Sequence, residues 1–122
     1  MIYTLTLNPA VDRELTVPEI AFDTVLRASQ CRVDAGGKGF NVSRMLQALG
    51  APSMALAFAG GQNGERLKAE LERLGIGTDF VAVRGEKRVN VGIVTPQNQH
   101  YIKGDEAGPT IEPIDEQRLL AK

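Results

Sequence analysis

Residues 35–41, AGGKGFN, set three glycines, a lysine and an asparagine directly ahead of an apolar pattern of helical period. Glycine tolerates positive φ and lets a backbone come close to a ligand. A helix N-terminus offers unpaired N–H groups and the positive end of the helix dipole, both of which suit an anion. Lys38 adds a mobile cation beside Gly36 and Gly37, and Asn41 brings both a donor and an acceptor. These types together suit a hydroxylated or phosphorylated small molecule. A plainer alternative needs no ligand: the glycines only let a helix pack closely on a strand. Nucleotide loops of known spacing are absent. The pattern G-x-x-x-x-G-K-[ST] fails because Gly39 follows Lys38, and no G-x-G-x-x-G stands between a strand and a helix.

Four more charged residues are candidates. Asp12 follows an alternating stretch and the Asn8-Pro9 turn, which predicts a place at the C-terminal end of a strand. Ligands gather there in open α/β sheets, and a carboxylate there can accept two sugar hydroxyls. The alternative is an Asx turn in which Asp12 bonds its own backbone. Arg88 opens a predicted strand, and Arg27 falls in the middle of another. Either guanidinium could hold a phosphate through its fork geometry, or stand as a solvated edge charge. Lys103 is a weaker case of the same kind. Cys31 and His100, each the sole residue of its type, show no partner for nucleophilic or acid–base work. They form no metal-ligand spacing, so no metal site is expected from these motifs.

The elements that must position these residues follow from period and breakers. Residues 2–7, IYTLTL, alternate as a strand does, and Pro9 ends them. Residues 13–17 and 24–33 read as two more extended stretches, the second peripheral because neither of its faces is strongly apolar. After the glycines, Val42, Met45, Leu46 and Leu49 recur at helical spacing, which predicts one buried face closed by Gly50 and Pro52. Residues 53–61 are nearly all apolar, as in a strand buried on both sides. Residues 63–75 predict an amphipathic helix capped by Asn63, striped by Leu67, Leu71 and Leu74, and ended by Gly75. TDFVAV and RVNVGIVT are strands, and PQNQ followed by QHYIK predicts a hairpin. A last helix begins near Asp115, a candidate cap, with Leu119 and Leu120 on its face.

Strands separated by amphipathic helices imply an α/β fold with a parallel sheet and crossover helices. Residues 13–33 and 88–103 form a separate small sheet, a lid inserted in that core. The 122 residues suit one domain. A net charge of −1 with mixed signs argues against a nucleic-acid footprint. No window approaches a membrane span, and the N-terminus has no signal-peptide pattern. A lone cysteine fits a reducing, cytoplasmic setting.

Taken together, IYTLTLNPAVDRELTV, AGGKGFNVSRMLQALG, AFAGGQNGERLKAELERLGI and KRVNVGIV resemble the N-terminal part of the phosphofructokinase B group within the ribokinase-like carbohydrate kinases. GGKGFN is the broad signature of those kinases, and TLNPAVD points to the phosphosugar branch. The resemblance implies a Rossmann-like domain with a β-sheet lid that often makes a homodimer. It implies ATP-dependent, Mg²⁺-assisted phosphorylation of a sugar phosphate: fructose 1-phosphate, fructose 6-phosphate or tagatose 6-phosphate, among which the sequence does not choose. Asp12 matches the family's hydroxyl-binding aspartate, Gly37, Lys38 and Asn41 its substrate loop, and Arg88 an arginine reaching in from the lid. Some relatives carry a further basic lid residue near Ile102, where this chain offers Lys103 instead. The family's catalytic base and nucleotide pocket lie downstream of the matched motifs. The expectation is therefore a truncated chain: the sugar-phosphate-binding half of a kinase, inactive alone, with an uncovered apolar face along residues 53–61. A stand-alone sugar-phosphate-binding or dimerising module is the competing expectation.

Overall fold

The computed structural model describes residues 1–122, the side chain of Asn98 excepted. Strands β1 (Ile2–Thr6), β4 (Ser53–Ala59) and β5 (Gly77–Ala82) form a parallel sheet in the order β1-β4-β5. A second sheet holds β2 (Ala10–Thr16), β3 (Gln30–Gly36), β6 (Arg88–Val94) and β7 (Tyr101–Asp105), in the order β3-β2-β6-β7. This is the lid. Helices α1 (Lys38–Ala48) and α2 (Gly61–Arg73) connect the core strands, and α3 (Pro113–Leu120) follows the lid hairpin. The α/β class, the parallel core and the separate lid agree with the sequence reading.

Alternation along β4 separates the two sides of the core sheet. Ala55 and Ala57 are fully buried in a cluster with Phe40 of α1 and Leu67 and Leu71 of α2. Phe40 also stacks on Phe80, with ring centroids 5.9 Å apart. Phe58 points to the other side, into a cleft shared with Leu119 and Leu120 of α3. Thus α1 and α2 cover one face, as two right-handed crossovers in the same direction require.

Several boundaries differ from the expectation. The second lid strand is 30–36 rather than 24–33. The bonds from Ser29 N and Oγ to Thr16 O close the long connection just before β3 begins. Arg27 therefore sits in that connection, exposed, and not mid-strand. β2 starts earlier than residue 13, so Asp12 is itself a strand residue of the lid rather than the end of a core strand. Helix α1 starts at Lys38, which brings Phe40 into the helix and turns its buried face toward Phe40 and Ser43. The predicted stripe points outward: Val42, Met45 and Leu49 are exposed, and only Leu46 is half-buried. Small residues decide this. A Cβ on Gly39 would lie 2.6 Å from Leu5 O, and Ser43 Oγ bonds Thr4 Oγ1 at 2.6 Å, so the backbone of α1 lies hard against β1.

Asn63 does not cap α2; the helix begins at Gly61, and the Glu86 carboxylate accepts from Gln62 N and Asn63 N at 3.2 and 2.5 Å. Glu86 thereby ties the β5–β6 connection to the helix's positive end. In α3 the cap is Glu112, with Asp115 at the third helical position returning a bond to Glu112 N at 2.9 Å. Gly50 and Gly75 do end their helices with positive φ, as expected.

The uncovered apolar surface is not along 53–61, because β4 is the central strand. It lies on β1 and α1, where Tyr3, Leu5, Leu7, Met45 and Leu49 are all more than half exposed. Such surface promotes association. Sedimentation of the isolated chain is expected to show oligomers, and the double variant Leu5→Lys with Met45→Lys is expected to shift it toward monomer. A monodisperse wild-type monomer would refute this.

Candidate functional site

The lid's strand registers gather the polar candidates. β2 and β6 are parallel, with Ala10 opposite Arg88 and Asp12 opposite Asn90. β2 and β3 are antiparallel, with Ala10 opposite Gly36 and Asp12 opposite Asp34. Paired residues share a sheet face, so Asp12, Asn90, Arg88 and Gly36 stand on one side. Asp12 is half-buried and Asn90 buried. Asn90 Nδ2 donates to Asp12 Oδ1 at 3.1 Å, which fixes the carboxylate and leaves Oδ2 to a ligand.

Gly36 makes room for that carboxylate: a Cβ there would lie 2.3 Å from Asp12 Oδ2. Gly37, at φ +148°, holds a conformation that disfavours side chains, and a Cβ on it would lie 2.5 Å from Thr6 Cγ2. The glycines meet different neighbours. Gly37 and Gly39 pack α1 against β1, and Gly36 admits the Asp12 side chain. Thr6 Oγ1, beneath Gly39, is buried without a hydrogen-bond partner.

Lys38 is the exposed first residue of α1. Asn41 is exposed one turn on; its Oδ1 accepts from Arg44 Nη1 at 2.8 Å, and Arg44 also reaches Ala35 O. Arg88 donates from Nε and Nη2 to Asn8 O at 3.3 and 3.1 Å, and from Nη1 to Asn90 Oδ1 and Glu106 O at 3.5 Å. All these acceptors are neutral, and among the described residues Arg88 makes no ion pair. Its charge stays available to an anion beside Asp12. Arg27 is not brought to this face. Lys103 is: β7 pairs it with Gly92, and it lines an open cleft with Asp12, Glu14 and Asn90. Ile102 points to the opposite side. Cys31 and His100 are exposed and away from the cleft.

The sequence reading missed Asn90. Its signal was the alternation in RVNVGIV, which puts Arg88, Asn90 and Gly92 on one side and Val89, Val91 and Ile93 on the other. It also missed Lys87, at the junction of the β5–β6 connection with the lid. The Lys87 ammonium is buried without a partner. Burial, and secondarily the neighbouring Arg88, lower its pKa to about 8.

With this geometry in view, the comparisons are direct. Residues 4–106 match the pfkB family carbohydrate kinases. The chain is 42% identical over 94 residues to the 1-phosphofructokinase of Borreliella burgdorferi, covering 77% of this chain and 31% of that protein. It is 41% identical over 112 residues to the tagatose-6-phosphate kinase of Staphylococcus epidermidis, covering 92% and 36%. The solved phosphofructokinase-2 of Escherichia coli in complex with substrates and products superposes with a TM-score of 0.89 at 28% identity, over 97% of this chain and 38% of that one. A lid-bearing α/β kinase fold is the class these features define. The chain belongs to the pfkB family of carbohydrate kinases, and it spans about a third of the length of these relatives.

Two outcomes check the site's construction. Gly36→Ala is expected to destabilise the chain by about 1–3 kcal/mol in denaturant unfolding, and Asp12→Ala in the same background to recover most of that loss. Equal losses in both backgrounds would mean that the two side chains do not share the space. Lys87 sets a pH dependence. Its folded pKa, about 8, lies below its ordinary 10.5, so the unfolded chain binds more protons between those values. The penalty is fully present below about pH 8 and is relieved as pH rises toward 10.5. The thermal midpoint is therefore expected to rise between those limits, and Lys87→Met to remove the rise; a flat wild-type profile would count against a buried ammonium.

Proposed function

We propose that this chain is the acceptor-binding part of a sugar-phosphate kinase of the 1-phosphofructokinase type, which converts fructose 1-phosphate to fructose 1,6-bisphosphate with ATP as donor. The observation that carries the reading is the single lid face on which Arg88, Asn90 and Asp12 form one hydrogen-bonded series. Asp12 accepts sugar hydroxyls through the oxygen that Asn90 leaves free. Gly36, Gly37 and Lys38 bring the positive end of α1 beside it, and Asn41 adds an amide. Arg88 supplies a guanidinium that no carboxylate neutralises. An unphosphorylated sugar fits this face less well, because it would leave those cations without an anion.

Phosphoryl transfer needs mainly positioning and electrostatic stabilisation. This chain's residues do the positioning of the acceptor. The base and the nucleotide pocket are assigned to the remaining length of the relatives' fold. Mg²⁺ and ATP supply the activated phosphoryl group when bound, but among the described residues no grouping of carboxylate, histidine or cysteine fits the ion.

The lid's other face carries Leu15, Val33, Val91, Ile93 and Ile102 around Arg13, a mainly apolar surface suited to a second lid. A homodimer through the lid sheet follows, and the same surface supports the alternative of a non-catalytic dimerising module. No described helix is long and apolar enough to cross a membrane. The setting proposed is the cytoplasm, where sugar phosphates and ATP meet.

ADP release with ATP, Mg²⁺ and each of fructose 1-phosphate, fructose 6-phosphate and tagatose 6-phosphate separates these readings. The chain alone is expected to show no turnover but to bind a sugar phosphate saturably, with binding lost in Asp12→Ala. Turnover that disappears in Asp12→Ala would overturn the acceptor-only reading. Absence of any binding would overturn the acceptor site itself.

A further inference from the structure

We infer that Thr6 is a positioning residue for the first turn of α1: its buried hydroxyl is unpartnered in the free chain and takes its hydrogen bond from that turn when an acceptor sits on it. The inference rests on the acceptor reading above and adds the group that holds the loop in its bound form.

The contrast with Thr4 is the first observation. Thr4 and Thr6 lie two residues apart on β1, so they share the face that α1 covers, and each is 6% exposed. Ser43 Oγ donates its one proton to Gly39 O at 3.1 Å, so Thr4 Oγ1 donates to Ser43 Oγ at 2.6 Å. Thr6 Oγ1 has no hydrogen-bond partner among the described residues. A buried hydroxyl without a partner costs free energy that water would have offset. The body of α1 is thus anchored to β1 at Ser43, and its first turn is not.

The place of the hydroxyl is the second observation. A Cβ on Gly39 would lie 2.3 Å from Thr6 Oγ1, and one on Gly37 would lie 2.5 Å from Thr6 Cγ2. The hydroxyl therefore stands under Gly39 and the methyl under Gly37. Threonine is stiff at χ1, so the contact of its methyl holds the hydroxyl in that direction. The third observation is the helix itself. The N–H groups of Lys38, Gly39 and Phe40 precede the first intrahelical bond, from Asn41 N to Gly37 O at 3.0 Å, and no side chain caps them. The other helices differ: Glu86 accepts from the N–H groups that open α2, and Glu112 and Asp115 form a capping box on α3.

Uncapped donors above an unpartnered hydroxyl leave two needs that one bond meets. An acceptor oxygen drawn to the positive end of α1, beside Lys38 and Asn41, fixes the direction of the turn. Thr6 Oγ1 then accepts from one N–H of the turn while the ligand takes another, with Ser43 as the pivot. A bond absent in the free chain and present in the bound one contributes wholly to affinity, whereas one present in both contributes nothing. Thr6 touches the loop and not the ligand, so it acts by orienting the residues that do.

Calorimetric titration with fructose 1-phosphate, together with thermal unfolding without ligand, tests this on the wild-type chain, Thr6→Val, Thr6→Ser and Asp12→Ala. Thr6→Val keeps the shape and removes the orphaned hydroxyl. It is expected to raise the thermal midpoint by roughly 3 °C and to weaken binding about fivefold. Thr6→Ser keeps the hydroxyl and removes the methyl. It is expected to lower the midpoint and to retain most of the wild-type affinity. A merely structural role would move stability and affinity together. Wild-type affinity in Thr6→Val, with binding lost in Asp12→Ala, would overturn the inference and leave the acceptor reading standing. A lowered midpoint in Thr6→Val would mean that the hydroxyl already has its partner in the free chain, and would overturn it too, as would binding lost in Thr6→Ser. No saturable binding by the wild-type chain would overturn both.

Discussion

The close approach of backbones at residues 36–39 is the constraint on which the site depends. Three segments converge there: the end of β3, the start of α1 and the C-terminal end of β1. Each glycine answers a different neighbour. Gly36 faces the Asp12 carboxylate, Gly37 the methyl of Thr6, and Gly39 the carbonyl of Leu5. A side chain at any of the three would force apart elements whose contact defines the site. Chain continuity joins lid and core although their sheets are separate. β3 runs without interruption from the lid into the helix that covers the core, so the orientation of Asp12 over the helix N-terminus is set by chain continuity rather than by docking.

The lid itself is a sheet with two unlike faces. Alternation along β2, β6 and β7 sends Asp12, Glu14, Arg88, Asn90 and Lys103 one way and Leu15, Val91, Ile93 and Ile102 the other. A polar face alone would give no reason for a sheet in water to stay flat and ordered. The apolar face supplies it when a second surface covers it. The two faces are coupled because a register slip of one residue would exchange them. The sequence of each strand thus fixes both the polar side and the apolar side at once. The connection that feeds this sheet is held at its base: Glu86 caps α2, Asn63 Nδ2 bonds Lys87 O at 3.1 Å, and Lys87 is buried next to Arg88.

Much of this was legible in the sequence. The parallel core, both crossover helices and the lid hairpin follow from periodicity, and GGKGFN with NPAVD marks the candidate site. What was not legible came from contacts across the chain. The stripe Val42, Met45 and Leu49 satisfies the rule for a buried helical face, yet Phe40 and Ser43 face the core, because Gly39 and Ser43 permit a closer approach than branched side chains would. A cap was sought at Asn63 because local patterns reward asparagine there, and the actual acceptor, Glu86, arrives from 23 residues downstream. Asn90 was overlooked for a similar reason. A single amide in an apolar strand gives no local sign that its partner is an aspartate 78 residues earlier.

The two edges of the core sheet differ in their side chains. Along β5, Asp79 is held by Lys122 at 2.6 Å and Thr78 by Glu72 at 3.0 Å, and polar groups of this kind discourage a further strand. β1 carries no charge from Ile2 to Thr6, and its Tyr3 and Leu5 are more than half exposed. The outward stripe of α1 stands above the same edge. The unpaired backbone of β1 therefore runs between two apolar surfaces, Tyr3 and Leu5 on one face of the sheet and the outward stripe of α1 on the other.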